Sequence, residues 1–252
     1  MSDAVVAAIV AGVVSLLVTF GKAHWDSRQK KQERRLAARE KLDKYREPLL
    51  TAADDLGSRI NNIRNDGFFF YLRTGGRERT ALLGTLFRFA QFLGWTEILY
   101  GSFDRLRFER DKSTKAVADV LRDIGRTLAV DRLDRANPSD ATTTQLMIWR
   151  EEQRAIGELM RVGDDPPRCM SFDSFVREYD SRFATWFETF ASQLDSVSTP
   201  RSERLAKLQR LLANLIRELD VDRILAQANT DGIVTDPRWA QPSMLSGMQK
   251  WT

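Results

Sequence analysis

A single histidine, His24, and a single cysteine, Cys169, limit the chemistry open to this 252-residue chain. One thiol makes no intramolecular disulfide, which suits a reducing compartment. A His/Cys metal cluster is excluded, and Ser-His-Asp or Cys-His arrangements would all have to use His24. His24 lies four residues beyond an apolar segment ending at Phe20, where an interfacial polar residue is expected rather than a catalytic base. Arg73-Thr74-Gly75-Gly76-Arg77 sets a Gly-Gly between arginines. The spacing is neither a P-loop nor G-x-G-x-x-G, so it reads as a loop. Glu151, Arg154 and Glu158 stand three and four apart and share one face of a helix. With Arg150 they are the candidate contacts for a ligand or partner; the plainer reading is a surface charge ladder. These patterns predict no catalytic residue, no cofactor, no metal ligand and no enzymatic reaction.

The segment from Ala4 to Phe20, AVVAAIVAGVVSLLVTF, carries no charge. At about 1.5 Å per residue it reaches roughly 25 Å, the short end of what spans a bilayer. Trp25 suits the aromatic belt that follows such a span. A secretory signal peptide needs a basic start, whereas this chain begins Met1-Ser2-Asp3. A buried core helix is the other alternative, but all-round apolar character followed at once by dense positive charge is unusual for one. Ala4, Ala8 and Gly12 fall four apart, a small-residue face through which two helices can approach closely.

From Lys22 to Arg46 ten Lys/Arg face four acids (Asp26, Glu33, Glu40, Asp43), while the whole chain carries only +4. No Lys or Arg precedes the apolar segment. The positive-inside rule therefore places the N-terminus outside and the rest of the chain in the cytoplasm. Lys22, Arg28, Lys30, Lys31, Arg34, Arg35 and Arg39 are the expected membrane-surface residues, at about 1 kcal/mol each near anionic lipid. With basic charge confined to this stretch, nucleic acid is not the expected partner.

These residues need elements to hold them. The chain is scarce in Gly and Pro (14 and 7), and its Val and Ile concentrate in the first eighteen residues, which argues against a sheet. Residues 26–41 are polar on nearly every side and rich in helix formers, with Asp26–Lys30 and Glu40–Lys44 as i,i+4 pairs: a solvated helical stalk. Leu42, Tyr45, Leu49, Ala52/Ala53, Leu56, Ile60 and Ile63 then trace one apolar face. Pro48 inside it implies a kink or a new helix start. Phe68 to Leu72 is expected to pack into the core. A long helix is expected over 78–108 with Trp95 at its face, another opening at Ser113, and a third over 149–160. Ser171 opens an aromatic stripe through Phe172, Phe175, Tyr179, Phe183, Trp186, Phe187, Phe190 and Leu194. Thr199, with Pro200 behind it, should cap a last helix whose leucines run from Leu205 to Leu219.

The predicted fold class is all-α. A transmembrane anchor (1–25) leads into a basic stalk (26–41), a cytoplasmic helical bundle (42–228) and a loosely ordered tail (229–252). Three stretches, 44–63, 73–99 and 149–159, together resemble a family of uncharacterised bacterial proteins with an N-terminal hydrophobic anchor. The resemblance is one of pattern over roughly 44 to 220; it implies the architecture and transfers no site. The functional expectation is a single-pass bacterial membrane protein that binds or scaffolds at the inner membrane face. Its partners would be lipid, through the span and stalk, and a protein or a second copy of itself. The alternative is a membrane-tethered small-ligand sensor or defence factor with its site in the bundle.

Overall fold

The computed structural model describes residues 3–102, 114–133 and 144–220, with the side chains of residues 3–21 and of several stalk positions outside the description. Helix α1 runs unbroken from Asp3 to Arg64, 62 residues. It passes through Pro48 without ending, so neither a new start nor a break occurs there. The apolar stripe explains why the helix tolerates this residue. Leu42, Tyr45, Leu49, Ala52, Ala53, Leu56, Ile60 and Ile63 are all buried, and burial of such side chains at about 1.5–3 kcal/mol each outweighs the roughly 3 kcal/mol cost of a helix-interior proline.

Beyond α1 come α2 (Phe69–Arg73), α3 (Glu78–Ser102), α4 (Lys115–Ala129) and α5 (Arg150–Met160). A short antiparallel pair, β1 (Arg161–Val162) and β2 (Arg168–Cys169), follows. Then come α6 (Phe172–Glu178), a π-helical turn (Tyr179–Phe183), α7 (Ala184–Gln193), a 3-10 turn (Thr199–Arg201) and α8 (Glu203–Leu219). The bundle is thus nearly all helical. Among the described residues the hairpin is the one sheet element, and its strands flank the break after Val162, with only two residue pairs in register. Helix α3 is central, packing on α1 and on α5, while α8 packs on α1 and α4.

Two glycines permit the α3–α5 crossing. A Cβ on Gly94 would meet Met160 Cβ at 2.7 Å and Cys169 Sγ at 2.8 Å; one on Gly157 would meet Glu97 Cβ and Leu93 O, both at 2.9 Å. No side chain larger than hydrogen fits at that separation. The α1–α8 contact carries a buried polar cluster: Gln209 Nε2 donates to Asn61 Oδ1 at 3.1 Å, and Arg64 Nη1 donates to Gln209 Oε1 at 2.5 Å.

Several expectations need correction. Phe70 and Tyr71 are exposed while only Leu72 of that run is buried, because α2 is a five-residue helix that turns one side to solvent. Trp95 is half-buried at the edge of the core. Phe172 and Trp186 lie at the surface, whereas Phe175, Tyr179, Phe183, Phe187, Phe190 and Leu194 are buried. The last helix is capped by Ser202, whose side chain accepts from Leu205 N, and not by Thr199, which sits in the preceding 3-10 turn. Residues 103–108, Ser113 and the tail from 229 fall outside the described residues.

Candidate functional site

The stalk comes first. Lys22, His24, Trp25, Arg28 and Lys30 are exposed; the side chains of Lys31, Arg34, Arg35 and Arg39 lie outside the described residues. So do those of Ala4, Ala8 and Gly12, on which the expected span falls. Among the described residues, no helix is long and apolar enough to cross a membrane.

The bundle holds a groove of about 740 Å³ between α3, α4 and α5. Helix α3 contributes Phe92, Leu93, Thr96, Glu97, Tyr100 and Gly101; α4 contributes Leu121, Arg122, Ile124 and Gly125; α5 contributes Arg150, Glu151, Gln153 and Arg154. The volume falls within the roughly 300–1,000 Å³ of small-molecule sites. Of the four residues named from sequence, Arg150, Glu151 and Arg154 line this groove and Glu158 does not.

Local geometry fixes these residues. Trp149 N donates to Glu152 Oε2 at 2.6 Å, closing the first turn of α5. Gln153 is buried, and its Nε2 donates to Gly125 O at 2.9 Å and Ile148 O at 2.7 Å, tying α5 to α4. Arg150 Nη2 donates to Arg122 O at 3.3 Å, and its guanidinium lies over Gly125, where a Cβ would collide with it. Arg154 Nε donates to Glu158 Oε1 at 2.9 Å, and the Glu158 and Glu97 carboxylates hold its pKa above the ordinary value. Both members of that pair are exposed, at 71% and 57%, so as an ion pair it adds little to stability. The arrangement can bind: cations from Arg122, Arg150 and Arg154, carboxylates from Glu97 and Glu151, and an aromatic wall from Phe92 and Tyr100.

No family model, curated protein or solved structure matches this chain. The site is therefore read from its own residues.

The sequence did not point to the α3 and α4 walls. Glu97, Tyr100 and Gly101 lie three and four apart on α3, a spacing that would have marked one face had the helix been aligned against α5. Arg204 was also missed. It is fully buried, with Nε donating to Gln145 O at 2.9 Å and Nη1 to Thr127 O. Burial pushes its pKa down to about 10, against the raising influence of Asp131. Its role is to join α8 to the end of α4. Cys169 is half-buried, and desolvation pushes its thiol up to about 12, so it is a poor nucleophile at neutral pH. Among the described residues, no group of three or more His, Cys, Asp or Glu could hold a metal ion.

Proposed function

We propose that the chain is a membrane-anchored binding or scaffolding protein that presents its helical bundle, to a protein partner or to a second copy of itself, at the inner face of a bacterial membrane. The observation that supports this most is α1. The apolar run 4–20, the charged stalk and the core stripe 42–63 lie on one uninterrupted helix. An anchor joined to a bundle by a helix rather than a flexible linker sets the bundle at a defined height, about 30 Å for the twenty or so residues between them. Exposed Lys22 and Arg28 stand at the membrane end of the stalk, within reach of anionic headgroups.

The test is fractionation of the full chain beside a variant lacking residues 1–21. The full chain is expected to remain with membranes at high salt. The shortened chain is expected to be soluble and to melt cooperatively, since its core is formed by residues from 42 onward. Membrane binding of the full chain that high salt abolishes would refute the span, and retention of the shortened chain at high salt would refute the single anchor.

A second reading is favoured by the groove: a membrane-tethered sensor or defence factor that binds a small ligand between α3, α4 and α5. A ligand that raises the melting temperature of the wild type but not of Glu151→Gln or Arg154→Gln would establish it.

A further inference from the structure

From Trp25 to Leu36 the stalk is charged on every side except along one line, which ends at Arg39. Trp25, Gln29, Gln32 and Leu36 recur at steps of four, three and four, the spacing of a coiled-coil seam. All four are exposed, Trp25 at 72% and Leu36 at 59%. If Trp25 and Gln32 are d positions and Gln29 and Leu36 are a positions, the flanks sort by charge. The e positions hold Asp26, Glu33 and Glu40; the g positions within the stalk hold Arg28 and Arg35. Three of the four acids between Lys22 and Arg46 therefore fall on one flank and none on the other. In a parallel pair each g residue meets the e residue five positions on in the facing helix, so Arg28 meets Glu33 and Arg35 meets Glu40. An antiparallel pair would oppose like charges on both flanks.

The same register continues into the apolar segment. It places Ala4, Ala11 and Val18 at d, and Ala8, Ser15 and Lys22 at a. Small residues there permit close approach in a bilayer, and a lone Lys at an a position fixes register at some cost in stability. In the same register Leu42, Leu49, Leu56 and Ile63 all fall at g, on one flank of the seam. Those residues are buried in the bundle, so each bundle sits beside the paired stalks rather than between them.

We infer that α1 forms a parallel, in-register two-stranded coiled coil with a second copy of this chain, sealed along Trp25, Gln29, Gln32 and Leu36 and aligned by Arg28 of one copy with Glu33 of the other. This names the partner within the proposed function and rests on its self-association branch.

The test is disulfide cross-linking of the full chain in membranes under mild oxidation. Gln32→Cys sits on the seam and Lys30→Cys on the outer face; half-buried Cys169 is common to both and gives each the same background. Paired d positions lie within disulfide reach and outer positions do not, so Gln32→Cys should cross-link at least about ten-fold faster. Arg28→Glu should slow the Gln32→Cys reaction, and adding Glu33→Arg should restore it by exchanging the flanks. Equal rates at 30 and 32, or no restoration by the exchange, would overturn the pair. A chain that stays monomeric in the membrane fraction overturns the pair and leaves the anchor standing. A cross-linked dimer recovered from the soluble fraction supports the pair and removes the anchor.

Discussion

Replacing Gly157 by Ala should destabilise the bundle, while the same change at Gly84 should stabilise it. Both glycines sit inside helices, where alanine is favoured by up to about 1 kcal/mol. Helix propensity alone thus predicts a gain at each. The surroundings differ. A Cβ at 84 meets only Arg59 Nη2, at 3.9 Å, an ordinary contact. A Cβ at 157 meets Leu93 O and Glu97 Cβ at 2.9 Å, and the carbonyl belongs to a neighbouring helix that cannot swing aside like a long side chain. Overpacking of this kind costs about 1–3 kcal/mol or more. Gly84→Ala should therefore gain about 0.5–1 kcal/mol, and Gly157→Ala should lose up to about 2 kcal/mol net, once the propensity gain of about 1 kcal/mol offsets part of the strain. Gly94→Ala, whose Cβ meets Met160 and Cys169 at under 3 Å, should also lose stability. Urea denaturation of the three variants, followed by circular dichroism, measures the difference. Equal gains at 84 and 157 would refute the close α3–α5 crossing, and with it the shape of the groove between those helices.

Phe187→Ala, at a fully buried position, should cost about 3–5 kcal/mol, and Trp95→Ala, half-buried, clearly less; denaturation midpoints compare them. Arg204→Leu removes the donors to Gln145 O and Thr127 O and should cost about 2–5 kcal/mol by the same assay. Cys169 has a folded-state pKa raised to about 12 from 9.0. Its neutral form is thus favoured by folding, and that stabilisation is complete below pH 9 and is lost as pH rises from 9 toward 12. The wild type should lose stability over that range more steeply than Cys169→Ala, and parallel curves would contradict the buried thiol.

The stripes of α1 and α8 were legible because apolar residues at helical spacing on a long segment leave few alternatives. Every residue of the stripe from Leu42 to Ile63 is buried for that reason. Phe70, Tyr71, Phe172 and Trp186 were misread because aromatic runs mark apolar surface without saying which side of a short helix faces the core. Ser202 was overlooked as a cap because Thr199-Pro200 carries the stronger sequence signal, although Pro200 here lies in a 3-10 turn. At the groove, Glu151 and Arg154 were legible as part of one face with Glu158, and Arg150 as a candidate beside it. Their neighbours Glu97, Tyr100 and Arg122 come from helices separated by tens of residues, and only the α3–α5 crossing at Gly94 and Gly157 brings them together. Arg204 resembles any helix-surface arginine in sequence; its burial depends on carbonyls offered by distant segments.

The continuity of α1 is the central claim, and the height of the bundle above a bilayer tests it most directly. A donor fluorophore at Lys44→Cys, an exposed position at the top of the stalk, can be paired with acceptor lipids in vesicles carrying the full chain. An upright helix from the membrane surface to that residue predicts about 25–35 Å. Energy transfer placing the donor within about 10 Å of the headgroups would mean that the stalk lies on the membrane or bends, and would contradict a helix that holds the bundle at a fixed height.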